Sequence, residues 1–254
     1  MDLNFKTFGQ GDPVLILHGL FGMLDNWQTI ARQLAKNYTV FIVDQRNHGR
    51  SPHTDIHDYP SMAEDLRVFM EDQFVLKAHL IGHSMGGKTA MQLALHYPDM
   101  IDKLVVVDIA PKTYPSGHHE IFQALFDLDL KEVQSRKEID QQLSAFIKEP
   151  GVRQFLMKNV ARDPDLGFRL KMNLPVIFQG YDQILQVPEM EEPFHGESLF
   201  IKGGDSRYID AEDLPLIQEF FPEARLETIP GAGHWVHADQ PQMLLKSIQD
   251  FLEV

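Results

Sequence analysis

The sequence predicts an α/β protein, a mostly parallel sheet flanked by helices and interrupted by an inserted helical cap. The runs at 14–17, 41–43 and 104–107 are continuously apolar. A strand wetted on one face alternates apolar and polar residues, so unbroken runs signal a parallel sheet covered on both faces. Helical stretches separate these runs as far as Asp108, and then the rhythm breaks. Pro111, Pro115 and Gly117 punctuate the chain, the pattern from about 119 to 186 is helical, and alternation returns near 198.

Taken in order, residues 14–17 form a strand that stops at His18, Gly19 and Leu20. The strand at 41–44 runs into Gln45, Arg46, Asn47, His48, Gly49, Arg50 and Ser51. The strand at 78–81 leads into Gly82, His83, Ser84, Met85, Gly86 and Gly87, and residues 89–96, apolar at Ala90, Leu93 and Ala94, read as the helix behind it. The strand at 104–107 ends in Asp108. Within the insertion, Ser135 with Glu138 has the spacing of a capping box and opens a helix. Afterwards come 198–202 as strand, Leu214–Phe220 as helix, 225–229 as strand and Pro241–Leu252 as the closing helix. The expected organisation is a core of 1–110 and 197–254 and a helical cap of 111–196. Because the insertion leaves the sheet where a strand ends, it is expected to cross the carboxyl ends of the strands, where open α/β sheets bind ligands.

Composition excludes several functions. The chain has 254 residues, 23 Lys and Arg against 37 Asp and Glu, and a formal charge of −14, which repels nucleic acid and anionic membranes. With no cysteine, disulfides, thiol catalysis and cysteine-ligated metals are ruled out. No apolar run has the length of a membrane span and residues 1–12 lack a signal-peptide core, so the expected location is cytoplasmic. The 12 histidines include no H-E-x-x-H and no clustered carboxylates, so no metal is expected. Oligomeric state is not legible.

Residues 82–86 spell G-x-S-x-G on a strand-to-helix turn. Such a turn strains the backbone at the serine, and flanking glycines remove the Cβ atoms that would collide there. The strain lifts the hydroxyl above the sheet and aims the first helical amides at a developing oxyanion. The same stretch satisfies a rival pattern. Gly82, four residues, then Gly87, Lys88 and Thr89 match the phosphate-binding loop, and the 104–108 strand ends in an acid as a magnesium-binding strand would. One loop cannot be both, because a phosphate loop is a wide cradle of amides and a nucleophile elbow is a sharp turn. Lys88, about one turn beyond Ser84, is expected to face solvent.

Three further segments decide the matter: His18-Gly19-Leu20, the D-x-R-x-x-G-x-S run from Asp44 to Ser51, and Gly231-Ala232-Gly233-His234-Trp235. With the elbow they resemble the α/β-hydrolase fold family in that family's order, over essentially the whole chain. The D-x-R-N-H-G spelling and V-D-I-A-P at 107–111 resemble its small bacterial serine esterase branch. The resemblance implies Ser84 as nucleophile, His234 as base, and an oxyanion hole of the amides of Met85 and Leu20, with Phe21 a competitor. His18, His83 and His48 are expected to pack, and His237 to be a decoy. In the family the triad acid usually follows a late strand in a G-x-x-D turn. Here that turn reads Gly203, Gly204, Asp205, Ser206, so Ser206 occupies the acid position and Asp205 comes one residue early. The family tolerates an acid at Asp108 instead. Asp108 is therefore expected to orient His234, with Ser206 adding a hydrogen bond, against the alternatives that Asp205 is the acid and that Asp108 only caps the turn before Pro111.

The expected function is hydrolysis of a small-molecule carboxylic ester, or an acyl thioester, through an acyl-enzyme and without a cofactor. A serine at the elbow argues against dehalogenases and epoxide hydrolases. C–C hydrolases, lyases and perhydrolases use the same triad, and nucleotide binding and a non-catalytic binding module are the alternatives from other classes.

Overall fold

The structure, a computed structural model, describes residues 1–164 and 167–253. In chain order its strands are β1 Phe5–Phe8, β2 Asp12–Leu17, β3 Tyr38–Val43, β4 Ala78–His83, β5 Ile101–Val107, β6 Val160–Asp163, β7 Gly167–Leu170, β8 Ser198–Gly203 and β9 Ala224–Ile229. The helices are α1 Gln28–Leu34, α2 Tyr59–Asp72, α3 Met85–His96, α4 His119–Phe126, α5 Arg136–Ser144, α6 Pro150–Met157, α7 Leu174–Gln179, α8 Tyr181–Ile184, α9 Leu214–Phe220, α10 Val236–Asp239 and α11 Pro241–Leu252. Seven strands make one sheet in the order β1-β3-β2-β4-β5-β8-β9, parallel except for β1.

The continuous apolar runs divide residue by residue between the two faces of this sheet, because successive side chains of a strand point opposite ways. Leu15, Leu17, Leu104 and Val106 pack with α2 and α3 through Leu66, Phe69, Ala90 and Leu93. Val14, Ile16, Val105 and Val107 pack with α1 and α11 through Ile30, Leu34, Leu244 and Ile248. Each such side chain is worth about 1.5–3 kcal/mol on burial, so both layers of helices are needed to cover the strands. The edge strand β1 escapes the sequence reading because it is short and half wet, with Lys6 and Thr7 exposed.

The insertion between β5 and β8 departs from expectation. It is helical at α4 to α8, and Ser135 opens α5 by accepting from the Glu138 amide at 3.3 Å. However, β6 and β7 form an antiparallel hairpin in the stretch read as helical, with Val160 opposite Leu170 and Arg162 opposite Phe168. Val160 and Phe168 are buried while Arg162 and Arg169 are exposed, and strands of four residues are too short to register as alternation beside neighbouring helices. The core of the insertion, around Phe122, Ile139, Leu143, Leu156 and Ile177, is continuous with Phe21, Tyr59 and Met85 of the sheet side. Among the described residues no helix is long and apolar enough to cross a membrane.

Candidate active site

The parallel register aligns the carboxyl ends of the strands, and the chemistry-bearing residues follow them. Leu17 lies beside Gly82 and His83 beside Val107. The ladder then runs one residue further, the Ser84 amide donating to Val107 O at 3.0 Å and the Asp108 amide to Ile201 O at 2.8 Å. Ser84 has φ 54° and ψ −120°, and α3 starts at the next residue. A Cβ on Gly82 would lie 2.2 Å from Gly86 O, and one on Gly86 would lie 2.5 Å from His18 O, so this turn closes only with glycine at both positions.

Three side chains meet at this edge. Ser84 Oγ donates to His234 Nε2 at 3.0 Å, and His234 Nδ1 donates to Asp108 Oδ2 at 2.8 Å. Asp108 is fully buried, at φ 53°, and its carboxylate also accepts from the Gly203 amide at 2.9 Å and from the Ser206 hydroxyl. A buried carboxylate is tolerable only when so partnered. Asp205 is exposed, and its amide donates to Ala232 O at 2.9 Å, joining the turn after β8 to the His234 loop. The arrangement can move a proton from a serine hydroxyl to an imidazole whose charged form faces a carboxylate.

The His18 loop lies directly against Ser84. The Phe21 amide, the competitor to Leu20, donates to His48 Nε2 at 3.3 Å. His48 Nδ1 in turn donates to Arg46 O at 3.0 Å, which fixes its tautomer. Phe21 O accepts from Asn159 Nδ2 of the insertion at 2.6 Å, so the strained Phe21, at φ 60°, is gripped from both sides. His18 Nδ1 donates to Gly19 O at 2.8 Å and Nε2 accepts from the Gln45 amide at 3.1 Å. Burial drives His18 down to about 4 and His48 to about 3, so both rings are neutral acceptors near pH 7. The Asp44 carboxylate gathers the amides of Leu24 and Arg50 and holds the loop's flank.

Two expectations are corrected. His83 is not merely packed: its Nε2 donates to His234 O at 2.8 Å, and its ring lies 4.8 Å from that of His234. Lys88 does not face solvent. It is 1 % exposed, and Nζ donates to Lys112 O at 2.7 Å, Leu185 O at 3.1 Å and Gln186 O at 2.5 Å. Burial pushes the ammonium down to about 7, and the three carbonyls, which need donors, work against that. With its N–H bonds so engaged and the loop sharply turned at Ser84, the phosphate-loop pattern lacks both its cradle and its lysine. His237, the decoy, stacks on Trp27 at 4.8 Å.

Sequence reasoning missed Tyr208, whose ring stacks on the His234 imidazole at 3.8 Å, and His118. Neither lies in a motif that could have singled it out. Two cavities open at Ser84. One, of about 270 Å³, is mostly apolar and lined by Tyr59, Met85, Ile109, Tyr114, Leu185 and Tyr208 among others. The other, of about 40 Å³, runs past Phe21, Trp27, Phe155, His234 and Trp235. Of the aromatic residues in the insertion, Phe155 thus reaches the site, while Phe122 and Phe168 are core and Phe126, Phe146 and Phe178 are partly exposed.

A family model described as alpha/beta hydrolase fold matches residues 12–150. The sn-1-specific diacylglycerol lipase ABHD11 of Xenopus laevis is 42% identical over 264 residues, covering 100% of this chain and 84% of the relative. Esterase YbfF of Escherichia coli (strain K12) is 40% identical over 244 residues, covering 94% of this chain and 92% of its own. The solved structure of a marine microorganism esterase superposes with a TM-score of 0.96 at 45% identity, covering 98% of both chains.

Proposed function

The chain belongs to the α/β-hydrolase fold family, and from that premise we propose a serine esterase that works through an acyl-enzyme. It is a carboxylic ester hydrolase, similar to esterase YbfF. In the proposed cycle Ser84 Oγ attacks the acyl carbonyl as His234 Nε2 takes its proton, and Asp108 holds the imidazole in the required tautomer and offsets its charge. The amides of Met85 and Leu20 receive the oxyanion. The engagement of the Phe21 amide with His48 supports Leu20 as the second donor. His234 returns the proton to the leaving alcohol, and water then attacks the acyl-serine by the same route in reverse. The 111–196 insertion acts as a cap over this site, and the larger cavity takes the acyl chain. An apolar pocket discriminates by only about 1–3 kcal/mol per methylene, so chain-length preference is graded, for oxygen esters and thioesters alike.

The observation that carries this reading is the pair of contacts from Ser84 to His234 at 3.0 Å and from His234 to Asp108 at 2.8 Å. The test is labelling by a fluorophosphonate, with turnover of 4-nitrophenyl esters and acyl thioesters of increasing chain length, in wild type and Ser84→Ala. Labelling and turnover are expected to vanish together in the variant. Ester turnover that survives Ser84→Ala would sink the proposal.

A further inference from the structure

Three residues line both cavities: Leu20, Ser84 and His118. The first belongs to the oxyanion loop and the second is the nucleophile, so the third stands at the junction where a scissile bond has to lie. His118 is not free to choose its tautomer. The Tyr181 hydroxyl accepts the amides of Gly117 and His118, each at 3.2 Å. A phenol oxygen offers two lone pairs and one proton, so the proton is left for its third contact, His118 Nδ1 at 2.6 Å. Nδ1 accepts, and the ring carries its own proton on Nε2. Phe21 at 5.9 Å and Tyr181 at 5.6 Å, both edge-on, hold the ring plane. Burial lowers the imidazole to about 4, so it stays neutral through the working range of an enzyme with a histidine base.

We propose that His118, locked by Tyr181 as the Nε2–H tautomer, is a substrate-binding donor that holds the alkoxy oxygen of the ester at the junction of the two cavities. The inference rests on the acyl-enzyme reading above. With the carbonyl oxygen in the oxyanion hole, and acyl and alcohol portions diverging from Ser84 into separate cavities, the alkoxy oxygen is the remaining acceptor of the scissile group. As the C–O bond breaks, the electron pair moves to that oxygen and His234 delivers the proton. A fixed N–H beside it stabilises the developing charge without being transferred. The benefit therefore grows with the basicity of the leaving alkoxide.

The experiment compares kcat/KM, which reports acylation, for ethyl butyrate and 4-nitrophenyl butyrate in wild type, His118→Phe, His118→Gln and Tyr181→Phe. His118→Phe should lose about 10- to 100-fold on the ethyl ester, the loss expected for a hydrogen bond to a charged group. Its loss on the nitrophenyl ester, whose leaving group needs no such help, should be several-fold smaller. His118→Gln, which still presents an N–H, should recover part of the ethyl-ester loss. Tyr181→Phe, which frees the tautomer, should reproduce the leaving-group dependence in weaker form even where His118→Phe folds poorly. Equal losses on the two esters, or none, overturn the proposal, as does a glutamine no better than phenylalanine. Ser84→Ala in the same assay separates the failures, since turnover surviving there condemns the serine mechanism and not the part given to His118.

Discussion

Ser84 occupies a backbone region that costs a residue with a Cβ on the order of 1–3 kcal/mol, and the strain is what lifts its hydroxyl toward His234. Ser84→Ala keeps that strain and should leave thermal stability near wild type while removing ester turnover by several orders of magnitude. Ser84→Gly should be equally inactive but melt a few degrees higher, since relief of about 1 kcal/mol moves the midpoint of a chain this size by roughly 2–4 °C. A glycine variant that melts lower than the alanine variant would show that φ at this residue is not strained. The acid can be assigned the same way. Asp108 is buried with three donors on its carboxylate, whereas Asp205 is exposed. Asp108→Asn should lower kcat/KM by at least roughly 10³-fold through loss of the correct His234 tautomer. Ser206→Ala should cost about tenfold and Asp205→Asn less than about threefold. If Asp205→Asn alone abolishes turnover in a protein of normal melting temperature, the acid is Asp205 and the geometry at Asp108 serves only the fold.

At the scale of elements, the junction between α3 and the insertion is held by one ammonium. The carbonyls at the end of α8 have no partner within the helix, and cations are favoured there. Lys88 takes those of Leu185 and Gln186, and Tyr59 Oη takes that of Ile184 at 2.7 Å. The third donor of Lys88 goes to Lys112, at the other end of the insertion, and its Nζ lies 4.8 Å from the Tyr114 ring centre. Both legs of the insertion are thus tied to α3, one turn from Ser84. Lys88→Met should leave the carbonyls of Lys112 and Gln186 unpaired at roughly 1–3 kcal/mol each, lower the melting temperature by more than about 5 °C, and speed amide exchange around Tyr114 and Leu185. KM should rise more for long acyl chains than for acetyl esters, because Tyr114 and Leu185 wall the larger cavity. Wild-type exchange rates in a Lys88→Met protein would show that the ammonium carries no such tie.

For the whole molecule, the consequence of burying so many imidazoles is sensitivity to acid. Burial holds His18 and His118 at about 4, and His48 and His237 at about 3, in the folded state. In the unfolded chain the same rings titrate near 6.5, so between these values the unfolded state binds more protons and stability rises with pH. Their contribution is complete above about pH 6.5 and is lost as pH falls toward the folded values, at about 1.4 kcal/mol per pH unit for each ring. The urea midpoint should fall steadily from pH 6.5 to pH 5, above the range where carboxylates begin to protonate. A midpoint flat across that interval would mean that these rings take up protons in the folded protein as readily as in the unfolded one.

The sequence by itself determined what neighbours along the chain impose on each other. The unbroken apolar runs required a sheet covered on both faces, and glycines at 82 and 86 required a turn too tight for any side chain at those positions. The placing of His234 and the doubt cast on Asp205 came from family spacing, which reads loop lengths and no contacts. Tertiary structure alone decided the rest, because it depends on surfaces that meet across the fold. Ser206 reaches Asp108 across 98 positions, Tyr181 sets the His118 proton across 63, and Lys88 is buried only because the insertion folds back over α3. Steric exclusion acts between adjacent residues and is written locally. The direction of a lysine or the tautomer of a histidine is set by whichever acceptor or donor a remote segment brings within hydrogen-bond range.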